Sequence, residues 1–135
     1  MADATARQSV CDTLAPGIRV VRFVRPDVRE YLYDHEAIAE CALYRELRGV
    51  ALGDLAAGGT LILNCGLIDN FPTAFYRLML QLRDEVAARN ARLLLCCLTP
   101  NICEAFALMG GNKTFAGQLR ETEARAVYDA KHPAG

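Results

Sequence analysis

Two short, almost unbroken apolar runs, residues 60–65 (Thr-Leu-Ile-Leu-Asn-Cys) and 92–97 (Arg-Leu-Leu-Leu-Cys-Cys), stand on either side of a stretch whose apolar residues recur with a helical period. In that stretch Phe75, Leu78, Met79, Leu82 and Val86 share one face, and Arg77, Gln81, Arg83, Asp84, Glu85 and Arg89 lie outside it. An apolar run of strand length marks a strand covered on both faces. Two such strands joined through an amphipathic helix pair in parallel, by a right-handed crossover. This excludes both a helical bundle and an antiparallel sandwich.

The rest of the chain extends the pattern. Residues 1–17 are small and polar, end in Pro16-Gly17, and read as a flexible tail closing in a turn. Residues 18–24 are rich in β-branched side chains and predict a first strand, whose Arg19 and Arg22 imply a partly wet face or an edge. Asp34 caps a helix starting at His35, with Ala39, Leu43, Tyr44, Leu47 and Val50 inward. Thr99-Pro100 starts a short helix carrying Ile102, Ala105, Phe106 and Met109, stopped by Gly110-Gly111. Residues 113–116 read as a last short strand and 121–130 as a final helix. The expected division is a tail over 1–17, one domain over 18–130 and a C-terminal tail over 131–135.

Composition narrows the function. At 135 residues the chain is one ordinary domain. A net charge of −1 with interspersed signs provides no field for phosphate backbones or anionic lipid, so neither nucleic acid nor membrane is an expected partner. The longest apolar run, 93–98, is far too short to span a bilayer, and residues 1–10 lack a signal-peptide core. The expected location is the cytoplasm. Cys11, Cys41, Cys65, Cys96, Cys97 and Cys103 form no C-x-x-C pair and lie at no ligand spacing from His35 or His132. They read as small buried hydrophobes with free thiols, and no metal or other cofactor is expected.

Catalytic text is sparse. No phosphate-binding glycine loop and no G-x-S-x-G elbow occur, and Ser9 is the sole serine. Glu121 and Glu123 read as acids favouring the positive end of a helix. The chain is therefore expected not to be an enzyme, a thiol chemistry through Cys97 being a distant third reading. What remains is the loop Asp69-Asn70-Phe71-Pro72-Thr73, which joins a buried strand to the clearest helix. Loops at the carboxyl ends of parallel strands are where such folds place their sites. Thr73 reads as a helix cap whose hydroxyl is also exposed.

From residue 59 to about 129, and more weakly from Ile18, this text resembles the STAS domain of anti-sigma factor antagonists. The matching order is the strand 61–64, the turn Gly66-Leu67, the loop from Asp69 to Thr73, the helix 74–90, the strand 93–97 and Thr99-Pro100. The ending, Phe106-Ala-Leu-Met-Gly110 with Phe115 and Glu121-Thr-Glu-Ala124, also fits. The resemblance implies an α/β, STAS-like single domain with a four- to five-stranded, mostly parallel sheet and about four helices. It also implies a protein-binding switch that sequesters an anti-sigma factor with serine/threonine kinase activity, released by phosphorylation of the loop hydroxyl. The family's Asp-Ser pair is not reproduced here, because Asn70 follows Asp69. Carried back along the helix, the acceptor position falls on Thr73, and Asp69, Asn70, Phe71, Thr73 and Arg77 become the partner surface. A scaffold or small-ligand sensor without a phospho-switch is the alternative, and the resemblance also allows a homodimer.

Overall fold

The computed structural model describes residues 9–23, 42–53, 55–70 and 73–132. Five described strands form one sheet in chain order, β1-β2-β3-β4-β5: β1 Ser9–Ala15, β2 Ile18–Phe23, β3 Thr60–Asn64, β4 Arg92–Cys96 and β5 Leu119–Arg120. β1 and β2 are an antiparallel hairpin, and the other three pairings are parallel. The register sets Leu61 beside Leu93 and Val20 beside Ile62. Helices α1 Ala42–Leu47, α2 Thr73–Ala88, α3 Pro100–Leu108, α4 Gly111–Thr114 and α5 Glu123–Lys131 connect or cover the strands, and a π-helical turn, Arg48–Leu52, follows α1. The mixed, mostly parallel α/β sheet expected from the apolar runs is what forms.

Because side chains alternate along a strand, the sheet has two different faces. Val21, Phe23, Leu61, Leu63, Leu93 and Leu95 enter a large core with Tyr44, Leu47, the α2 stripe, Ile102, Phe106 and Phe115. Ile18, Val20, Ile62, Leu94 and Cys96 form a smaller cluster, closed by Ala126 of α5. All five residues of the α2 stripe are buried. The strand after α2 is reached through Asn90, which takes a left-handed backbone (φ 57°), a conformation asparagine tolerates better than most residues.

Three sequence expectations are corrected. Residues 9–15 are not tail but the strand β1, paired to β2 across the Pro16-Gly17 turn, with Gly17 at φ 78°. Ser9 is buried, and its hydroxyl donates to the Glu46 carboxylate, tying β1 to α1. A largely exposed strand is stable there because its backbone hydrogen bonds go to β2. Residues 113–116 do not form the last strand. Gly110 turns the chain with φ 83°, residues 111–114 continue as α4, and Phe115 plugs the core. The last strand is β5, where the Leu95 amide donates to the Gln118 carbonyl at 2.8 Å. The cysteines are not uniformly buried: Cys65 and Cys96 are, Cys11 and Cys97 are half-buried, and Cys103 is exposed. Asp34, His35, Ala39 and Cys41 lie outside the described residues, as do the side chains of Leu43 and Val50.

Candidate functional site

The β3–α2 loop is built from a rigid root and an open tip. At the root the Asn64 carboxamide oxygen accepts the Gly66 amide at 2.9 Å, and the Cys65 amide donates to the Cys96 carbonyl at 3.0 Å. Gly66 suits the close approach: a Cβ there would stand 3.1 Å from Asn64 Oδ1 and 3.3 Å from Cys97 Cβ, so its neighbours would have to shift. The Ile68 amide then donates to the Cys65 carbonyl at 3.1 Å, closing a turn, and the Ile68 side chain anchors it in the core. Leu67, at the corner of that turn, is 49% exposed. Leu67, which the amino-acid order places only in a turn, is thus an apolar side chain held at an exposed corner.

Asp69 is exposed and Asn70 half-buried, with Asn70 Nδ2 donating to Asp69 Oδ1 at 2.8 Å. Thr73 is exposed and takes the first position of α2 rather than its cap. Arg77, one turn on, is also exposed. Phe71 and Pro72 lie outside the described residues. Asp69 and Asn70 therefore touch, and Thr73 and Arg77 share the opening of one helix. Among the described residues no hydrogen bond joins the two pairs. The first turn of α2 carries no acidic residue, so nothing within that turn compensates its positive end.

Beneath the loop lies a polar network that sequence reasoning missed. Arg22 of β2 grips Glu123, at the start of α5, with two nitrogens, at 3.0 and 2.7 Å, and reaches Asp12 of β1 at 2.7 Å. Asn64 Nδ2 donates to the same Glu123 at 2.9 Å. Asn64 thus connects the loop root to α5 through opposite ends of one carboxamide. Arg22 sits beside Asn64 in the parallel register, which brings the three groups together. The readable signal is an arginine inside an apolar strand: of the two expectations for it, the partly wet face is what forms, with the side chain 40% exposed, and the strand is not at the sheet edge.

Arg22 holds the Glu123 carboxyl below its ordinary range, burial opposes this, and Asn64 adds to the lowering. A carboxyl depressed in the fold stabilises the protein above its unfolded value, and that contribution is lost as pH falls through the folded value. Glu123→Ala is therefore expected to cost about 1–2 kcal/mol at pH 7, a range reduced for the partial exposure of Arg22. Urea unfolding of both proteins at pH 7 and pH 3 checks this. The gap must narrow at the lower pH, and an unchanged gap would assign the loss to packing.

The other sequence candidates are placed as follows. Thr99 caps α3 by position, without a side-chain cap bond, and Pro100 opens the helix. Thr122, not Glu121, caps α5, its hydroxyl accepting the Arg125 amide at 3.1 Å. Burial pushes the Cys65 thiol up to about 12 and raises Cys96 as well, which suppresses the thiolate at both. Cys97 leaves the end of β4 with a left-handed backbone, φ 64°. Among the described residues no cluster of three or more His, Cys, Asp or Glu is placed to hold a metal ion. No described helix is long and apolar enough to cross a membrane.

Neither a family model nor a curated protein sequence matches the chain. Solved structures do. A sulfate transporter family protein from Wolinella succinogenes superimposes with a TM-score of 0.68 at 13% identity, covering 90% of each chain. The anti-sigma factor antagonist SpoIIAA, in its unphosphorylated form, matches with a TM-score of 0.66 at 16% identity, over 94% of this chain and 99% of the other. Its phosphorylated form, from Bacillus, matches at 0.59 and 17%, over 89% and 96%. A murine Solute Carrier 26 family anion transporter matches at 0.66 and 13%, and there this chain spans 18% of the other's length. With a chain-ordered sheet, the β1–β2 hairpin at its edge and a helix opening directly after the β3 loop, the chain has the STAS fold.

Proposed function

We propose that this chain is an anti-sigma factor antagonist, a non-enzymatic cytoplasmic regulator that binds an anti-sigma factor with serine/threonine kinase activity. One observation carries the reading: the loop root is locked by Asn64 and Gly66, while Leu67, Asp69 and Thr73 all face solvent on the short path into α2. A preorganised root of this kind reduces the ordering cost of presenting the residues that flank it. Leu67 supplies the apolar contact, Asp69 a charge for orientation, and Thr73 a hydroxyl that a kinase can reach. The fold shared with SpoIIAA supports this assignment. The fold shared with transporter proteins and the Asn70 that follows Asp69 favour the second reading, a scaffold or sensor domain without a phospho-switch.

The test is calorimetric titration against kinase-type anti-sigma factors, followed by incubation with ATP and mass spectrometry. Leu67→Asp and Asp69→Ala are expected to weaken binding by roughly ten- to thirtyfold, the effect of removing one contact near the centre of an interface. Unchanged affinity in both variants would move the interface elsewhere. Phosphate on Thr73 makes the protein a switch, whereas a stable complex with unmodified Thr73 makes it a constitutive antagonist.

A further inference from the structure

A second polar constellation gathers around Asp129, in the last turns of α5. Arg92, Arg120, Arg125, Asp129 and His132 line a half-open cavity of about 240 Å³. Among the described residues that line it, three guanidinium charges face a single carboxylate, an excess of two positive charges. Each arginine is held in place. Arg120 donates to Asp129 Oδ2 at 2.5 Å and to the carbonyls of Gly117 and Leu119 at 2.9 and 2.8 Å. Arg125 donates to the same carboxylate oxygen at 3.1 Å, and its guanidinium lies over the Tyr128 ring, 5.7 Å from the centroid. Arg92 donates to the Asp129 carbonyl at 3.3 Å. Asp129 itself is held below the ordinary carboxylate range by Arg120 first and then Arg125, so it is ionised and gathers the cations.

That collection exceeds what Asp129 needs. A guanidinium has five donors, and among the described residues Arg92 and Arg125 each place only one nitrogen in a hydrogen bond. Their other donors are not taken up by described protein groups, and both residues line the cavity. Planar donor forks suit a tetrahedral oxyanion, and two unmatched positive charges suit a group carrying about −1.5 to −2 near neutral pH. We infer that this cavity binds a phosphate group, as free phosphate or as a phosphate monoester. Arg92 opens β4, at the end of the strand opposite the loop, whereas Arg120 stands beside Cys96 at its loop end.

The experiment is NMR titration of the isotopically labelled chain with inorganic phosphate, adenosine monophosphate and acetate. Saturable shifts are expected at the amides of Arg92, Arg120, Arg125 and Asp129, with acetate at least about tenfold weaker because it bears one charge and offers two acceptors. Tighter binding of the monoester identifies an esterified ligand, and equal or weaker binding identifies the free ion. Arg125→Gln, on a largely exposed side chain that the fold does not need, is expected to weaken phosphate binding about fivefold or more. Absence of saturable shifts, or Arg125→Gln binding phosphate as the parent chain does, overturns the inference.

Discussion

Phe106→Ala is expected to destabilise the domain by about 3–5 kcal/mol, the range for truncating a fully buried aromatic ring. Phe106 is completely buried, with its ring 5.7 Å from Tyr76 and 5.5 Å from Phe115. These three rings join α2, α3 and the segment after α4, so the cavity left behind has three walls from different elements and little means of collapse. Gly111 shows how closely the ring is enclosed. A Cβ at Gly111 would come within 2.4 Å of Phe106 Cδ2 and Cε2, and the ring has no free side toward which to move. Gly111→Ala is accordingly expected to cost about 1–3 kcal/mol by overpacking, in the same region but with the opposite steric sign. Thermal and urea unfolding of both variants checks the pair. A Phe106→Ala loss below about 1 kcal/mol would mean that α3 and α4 contribute little to the cooperative fold.

Thr73→Glu is expected to weaken binding to the kinase-type anti-sigma factor about 100-fold, close to 2.8 kcal/mol. The expectation rests on the proposed partner surface. A carboxylate at the first position of α2 meets the positive end of the helix, so the isolated domain keeps or slightly gains stability. At a packed interface the same charge loses its water, which is where the penalty arises. Thr73→Ala separates the two effects: it removes the hydroxyl without adding charge, and its binding should stay within about threefold of the parent. Calorimetric titration with matched melting curves gives both numbers. Equal binding by the Glu and parent proteins, at equal stability, would remove Thr73 from the interface.

The alternation of buried strands and amphipathic helices was legible because it is local. Thr60–Asn64 and Arg92–Cys96 are apolar on both faces, and the α2 stripe repeats every three or four residues, so composition within one element announces its environment. The loop between them was legible for the same reason, since a strand end and a helix start bracket it. What the amino-acid order alone left undetermined depends on partners distant in the chain. β1 is a short, largely exposed segment that becomes a strand because β2 offers it a ladder, and β5 has two residues, too few to show any period. Arg22 and Glu123 stand 101 residues apart, and each alone reads as an ordinary surface charge. Arg92, Arg120 and Arg125 are likewise unremarkable until β4, β5 and α5 bring them to one cavity. The sequence by itself determined the α/β class, the α2 helix and the position of the loop, because periodicity encodes which side of an element is covered. The tertiary structure alone decided which charges meet, because side-chain electrostatics depends on distance in space and a linear order of residues carries none.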